Sequence, residues 1–267
     1  VVIPRNLSAE EAAALAHRLA ALLWDVDGTL AETELDGHRP AFNAAFAELG
    51  LPWHWDEPTY LRLLAVSGGR ERIGAWCRER TGSGPEPELL EHLLRRKASH
   101  YGARVRQGAV PLRPGVASLI REASAAGLRQ GIVTTSGRDA VRHLRHGVLG
   151  DLGAAFAFQV CGEDVGAKKP DPEAYRLALE HLGCQPGSVL ALEDSRQGLA
   201  AARGAGLSCL VTLSSHSRRE PTELFEGASA VLDGLAAEEG RVKVRRGPAC
   251  PDATVTLSWL ESLLPPP

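Results

Sequence analysis

No apolar run in the 267 residues approaches the ~20 that cross a bilayer, which argues against a membrane protein. Cysteine is sparse. Cys77, Cys161, Cys184, Cys209 and Cys250 are odd in number and widely spaced, with no CxxC. They read as reduced thiols of an intracellular protein, not as a disulfide framework or a zinc site. Neither sign of charge dominates: 30 Lys and Arg stand against 33 Asp and Glu. A general nucleic-acid or anionic-membrane binder would carry a basic excess. The opening "VVIPRNLSAEEAAALAHRLA" lacks the charged-then-apolar layout of a secretory signal, so a cytoplasmic location is expected. Methionine is absent altogether, for which the sequence offers no reason. What remains, 44% hydrophobic and 24% charged residues, is the composition of a soluble enzyme.

The stretch "LLWDVDGTLAETE", Leu22 to Glu34, sets two aspartates one residue apart directly behind an apolar run. Ala20 to Trp24 reads as a buried strand and "DG" as a turn. Side chains on a strand alternate, so Asp25 and Asp27 emerge on one side if the strand continues that far. Two like charges held together are costly unless a cation sits between them or one carries a proton.

After Leu30 the pattern turns helical. Phe42, Ala45, Phe46 and Leu49 recur at helical spacing, and further helical stretches run over 59–64, 70–80 and 86–106. From "LRPGV" onward helices and strands alternate. Helices at 116–126, 140–146, 173–181 and 196–203 precede strands at 129–134, 156–160, 188–192 and 207–212. Such alternation predicts an α/β fold, a doubly wound parallel sheet with helices on both faces and an all-helical insertion after the first strand. The expected organisation is a helical extension over 1–20, a core over 21–32 and 108–237, and an insert over 33–107. The tail over 238–267 yields no reading.

Ligands of open parallel sheets sit beyond the carboxyl ends of the strands. Four stretches end strands there: "DVDGT", Thr134 in "IVTTS", Lys169 in "AKKPDP", and Glu193 with Asp194 in "LEDS". Alone, "LEDS" and "KKPDP" are helix entries and Thr134 a strand-end threonine. In this order and spacing they resemble the haloacid dehalogenase superfamily of phosphotransferases, from about Ala21 to Asp233. The resemblance implies a Rossmann-type core with a helical cap. It also implies roles. Asp25 would be the nucleophile that becomes an aspartyl phosphate, and Asp27 the acid that protonates the leaving alcohol and then activates water. Mg2+ would take the Asp25 and Asp194 carboxylates and the Asp27 backbone carbonyl, with Glu193 close by. Asp27, not bound through its side chain, would keep a proton. Lys169 and Thr134 would hold the phosphoryl oxygens, with Thr135 and Ser136 beside them.

The insert narrows the likeness. "AETELDGHRPAFNAAFAELGLPWHWD" and "VSGGRERI" together resemble the CbbY family, which removes the 1-phosphate of xylulose-1,5-bisphosphate, a Rubisco inhibitor of the Calvin cycle. Gly68 and Gly69 allow backbone N–H groups close to an anion, and Arg70 and Arg72 add guanidinium forks suited to a second phosphate. The usual family form is "TGGKER"; here Ser67 and Arg70 replace its threonine and lysine. The resemblance further assigns Glu32 to substrate hydroxyls, His38 to the seam between cap and core, and Lys97 in "RRKASHY" to the cleft. Trp53 and Trp55 read as cap core. The expectation is a monomeric phosphatase acting on a small phosphorylated sugar, without nucleic acid or membrane. Three rivals stand: a mutase of β-phosphoglucomutase type, a phosphatase for another small ester such as phosphoglycolate, and a non-enzymatic sugar-phosphate sensor.

Overall fold

A computed structural model describes residues 18–266, so most of the expected N-terminal extension lies outside the described residues. Strand β1 (Ala21–Trp24) is buried along its whole length. Ala21 and Leu23 pack into one apolar layer, Leu22 and Trp24 into another, as required of a central strand covered on both faces. Around it lie β2 (Arg129–Val133), β3 (Phe156–Val160), β4 (Val189–Glu193), β5 (Ser208–Thr212), β6 (Ala230–Leu232) and β7 (Val244–Arg246). Their order is β3-β2-β1-β4-β5-β6-β7. β1 pairs in parallel with β2 on one side and β4 on the other, Trp24 facing Ile132 and Leu192. The chain winds outward from β1 in both directions, so the switch point, where such sheets open a crevice, falls between β1 and β4.

The sheet departs from the expectation in two respects. β7 runs antiparallel to β6, so the sheet is not wholly parallel. The tail that gave no reading is ordered: β7 closes one edge, and a short helix at Leu257–Glu261 buries Leu257, Trp259 and Leu260 against the core. β6 and β7 have three residues each and the helix only five, less than two helical turns, so none of them displays a period that sequence reading could use.

Between β1 and β2 the chain forms helices joined by loops, with no strand among them: a π-type turn at Glu34–His38, then α1 (Arg39–Glu48), α2 (Glu57–Leu63), α3 (Gly69–Thr81) and α4 (Pro87–Arg106). They surround their own apolar cluster, built on Phe42, Phe46, Trp55, Tyr60 and Trp76. Asn43 ties the intervening loop down, its side chain bonding the Trp55 backbone at 2.9 and 2.8 Å. Trp55 is fully buried and Trp53 partly so. After the insert come α5 (Val116–Ala125), α6 (Arg138–Leu144), α7 (Glu173–Leu182), α8 (Arg196–Gly204) and α9 (Leu257–Glu261).

Candidate active site

The strand ladder delivers the acidic residues. The Asp25 N–H donates to Leu192 O at 3.0 Å, setting Asp25 beside the end of β4, where Glu193 and Asp194 follow. Oxygens of Asp25, Glu193 and Asp194 all lie within 4.8 Å of one another, and all three residues are buried. The turn at Gly28 permits this closeness. Its φ is +84°, and a Cβ there would stand 2.1 Å from Asp194 Oδ2.

Lys169 enters from the loop before α7. Its ammonium donates to Asp25 Oδ1 at 2.8 Å, Glu193 Oε1 at 2.6 Å and Val133 O at 2.8 Å. Tyr175, from the first turn of α7, donates to the same Glu193 oxygen at 2.5 Å. Against the cost of burial, Asp25 and Glu193 hold the Lys169 ammonium above its ordinary range. One cation does not balance three acids. Burial, countered in part by Lys169 and reinforced by Glu193 and Asp27, pushes Asp25 up to about 8. Burial likewise pushes Asp194 up to about 7, although His216 pulls it down.

That imbalance bears on a metal. The donors are hard carboxylate oxygens, and Asp194 Oδ2 is buried without a hydrogen-bond partner. An orphaned anionic oxygen in a cluster of three acids suits a magnesium-like cation. Lys169 and Tyr175 occupy Glu193 Oε1, while its Oε2 is buried without a hydrogen-bond partner.

Asp27 is differently held. Its carboxylate accepts from Thr33 Oγ1, from His38 Nε2 at 2.8 Å and from Ser136 Oγ at 2.6 Å. Burial opposes ionisation, but the His38 charge and these three donors overcome it and hold Asp27 well below the usual carboxylate range. In this arrangement, without a cation, Asp25 and not Asp27 has the raised affinity for a proton; the expectation that Asp27 keeps one supposes Mg2+ on Asp25. His38 in turn meets Lys97 Nζ through Nδ1 at 2.9 Å and stacks on Tyr101. Burial pushes Lys97 down to about 8.

Core and insert enclose a cleft of about 380 Å³, lined by Asp25, Asp27, Asp194, Lys169, Thr135 and Ser136 from the core. Thr134 lies just behind, buried, its Oγ1 accepting from the Ser136 N–H at 3.0 Å. From the insert, His38, Gly68, Gly69, Arg72 and Lys97 reach the same cleft. Besides Thr134, two residues expected at the cleft do not line it. Arg70 is half-exposed and pairs with Glu91 at 2.6 Å, because its position on α3 points away from the cleft that Arg72 faces. Glu32 is turned aside by Arg113 at 3.1 Å and by Ser215, whose hydroxyl donates at 2.8 Å.

Glu34 is the acid that lines the cleft instead, and sequence reading missed it. It accepts from the Tyr60 hydroxyl, and Arg72 Nη1 donates to that hydroxyl at 3.0 Å and lies 3.7 Å from Glu34. Also missed were His216, directed at Asp194 from 3.5 Å, and the Lys168–Glu71 pair, which spans core and insert at 2.8 Å. Nothing in local spacing marks these residues, which meet only in the folded chain.

A family model described as haloacid dehalogenase-like hydrolase matches residues 19–206, and the chain belongs to that family. Its relatives there include protein CbbY of Cereibacter sphaeroides, 43% identical over 219 residues, covering 82% of this chain and 93% of that protein. CbbY of Rhodobacter capsulatus is 46% identical over 220 residues, with coverage of 82% and 95%. A crystal structure of a CbbY variant from Rhodobacter sphaeroides in complex with xylulose-1,5-bisphosphate matches with a TM-score of 0.75 at 42% identity, covering 81% of this chain and 94% of that one. The chain is thus an enzyme, a phosphatase of the CbbY type. Among the described residues no helix is long and apolar enough to cross a membrane.

Proposed function

We propose that the protein is a magnesium-dependent phosphatase that removes the 1-phosphate of xylulose-1,5-bisphosphate and releases xylulose 5-phosphate, clearing an inhibitor of Rubisco. The observation that carries this reading is the meeting of Asp25, Asp194 and Lys169 beneath a basic helical wall. The relative with 42% identity whose structure holds that bisphosphate supports the choice of substrate. In this reading residues 33–107 form a cap over the core of 21–32 and 108–237.

Asp25 attacks phosphorus, the bond to the sugar oxygen breaks, and that oxygen leaves with a proton from Asp27. Water then hydrolyses the aspartyl phosphate while Asp27 takes its proton, freeing phosphate and restoring Asp25. Its neighbours favour the ionised form of Asp27, so on this reading it gains a proton before acting as the acid. A phosphate dianion beside it raises its proton affinity by like-charge repulsion. His38 Nε2 is the proton source within reach, with Lys97 behind it. Lys169, Ser136 and the backbone after β2 hold the phosphoryl oxygens. Asp25, Asp194 and the Asp27 carbonyl would hold Mg2+, which supplies charge neutralisation between nucleophile and phosphate. The need is real: an anion meeting a phosphate at ~4 Å is repelled by several kcal/mol at an effective dielectric near 20. Arg72, steadied by Glu34 and Tyr60, and Lys97 face the remote phosphate.

The test is a panel of phosphate esters with released phosphate as readout. The bisphosphate should be the best substrate, and exhaustive chelation should stop the reaction. Activity confined to hexose monophosphates or phosphoglycolate, or isomerised sugar phosphate in place of free phosphate, moves the assignment elsewhere in the family.

A further inference from the structure

At the root of the insert lies a buried cation that the mechanism above leaves unused. Arg113, on the segment returning from the insert, is 7% exposed. Its Nη1 donates to Gly28 O, and to Thr212 O and Oγ1 at 3.0 Å each; its Nη2 donates to Leu213 O at 2.6 Å. Nε faces Glu32 Oε1 at 3.1 Å. The backbone joins in: Arg113 N–H donates to Leu30 O at 3.0 Å, and Glu32 N–H to Pro111 O at 3.2 Å. The side chain and backbone of Arg113 therefore tie three segments together: the loop behind the two aspartates, the segments that leave and re-enter the insert and meet at the Ala31–Leu112 bridge, and the turn after β5.

The first of these segments has little room to move. Gly28 follows Asp27 directly, and its Cα stands so close to Asp194 that a Cβ would collide with Oδ2. A shift of a few tenths of an ångström there alters the spacing of Asp27 and Asp194 together. The Glu32 carboxylate, pinned by Arg113 on one oxygen and Ser215 on the other, holds the outgoing segment to the same point. We infer that Arg113 is a positioning residue for phosphoryl transfer, fixing the Asp27–Glu32 loop and the hinge of the insert against the end of β5. It touches neither substrate nor reacting atoms. A lysine cannot replace it, because a point charge with tetrahedral donors does not span three carbonyls and a carboxylate.

The inference rests on the phosphatase reading, and the experiment separates the two. Arg113→Met and Arg113→Lys, as full chains, are assayed on whichever ester the wild type hydrolyses best, and followed by amide hydrogen exchange without substrate. Arg113→Met should lower kcat at least tenfold with KM within about twofold, and exchange should speed up about tenfold in 26–33 and 212–217 while β2 and β3 stay protected. Arg113→Lys should fall between, and it decides the matter if the methionine variant does not fold. A folded variant with wild-type kcat, or unchanged exchange in those two segments, overturns the inference. So does exchange that rises evenly through the sheet with kcat per folded molecule intact, the pattern of a purely structural residue. Should the wild type hydrolyse no ester, the functional reading fails while the exchange result still decides the role of Arg113.

Discussion

The two walls of the cleft are built by different means. On the core wall, Asp25 and Asp194 stand at the ends of adjacent strands, so the β-ladder sets the separation of their backbones. On the insert wall, Arg72 and Lys97 are aimed by other side chains: Glu34 and Tyr60 for the first, His38 and the rings of Phe42 and Tyr101 for the second. A ladder tolerates sequence change as long as strands pair. A side-chain network fails when one member is lost. Chemistry common to a family suits the first wall, and selectivity suits the second.

The sharpest way to test that contrast is at the core wall. Asp25→Asn should cut turnover on every ester by about 10³-fold or more, with the fold retained, since the amide neither attacks phosphorus nor neutralises Lys169. Phosphate release that survives this change breaks the account of the core. At the insert wall, Arg72→Ala should raise KM for a bisphosphate about 10- to 100-fold while leaving small monophosphates less affected, the loss of a buried guanidinium contact being worth about 1.4–3 kcal/mol. Arg70→Ala, two residues away but paired with Glu91 at the surface, should change KM less than twofold. Equal effects of the two, measured by steady-state kinetics, erase the distinction between the residues.

A separate effect, read on the fold and not on turnover, is thermodynamic. Asp25 rises from an ordinary 3.8 to about 8, and Asp194 to about 7, in the metal-free fold. Between pH 4 and 7 the folded state therefore holds protons that the unfolded chain has released. Stability must fall as pH rises through that window, by up to about 1.4 kcal/mol per pH unit for each proton. Asp27 does not mask the slope, because its depressed value confines its own contribution to stability loss at lower pH. Thermal midpoints recorded from pH 5 to 7 with a chelator should decline, more weakly in Asp25→Asn, and Mg2+ should flatten the decline. A chelated wild type whose midpoint rises over this range contradicts the carboxylate cluster as described.

The likeness of the two walls in sequence hid their difference in structure. Glu32 and Glu34 both follow the aspartates closely, and Arg70 and Arg72 share one helix; in each pair, sequence reading cannot tell which member enters the cleft. The backbone decides. At Glu34 the chain enters the π-type turn, where that carboxylate meets the Tyr60 hydroxyl, while Glu32 stays in the segment before it, against Arg113. Buried Gln130, within β2, makes the same point: its polarity in a strand is explained only by Trp24 Nε1, which donates at 3.1 Å, and by Ile120 O, which accepts at 3.1 Å.

Apolar runs, helical periods and the order of four short motifs were enough to locate β1 to β5, the helical insert and the residues Asp25, Asp27, Lys169 and Asp194. These depend on local pattern and on the rule that parallel strands end together. Tertiary structure alone decided how each acid is surrounded, which arginine faces the cleft, and how the tail closes the sheet. Burial and partnership determine those outcomes, and both are made by residues far apart in the chain.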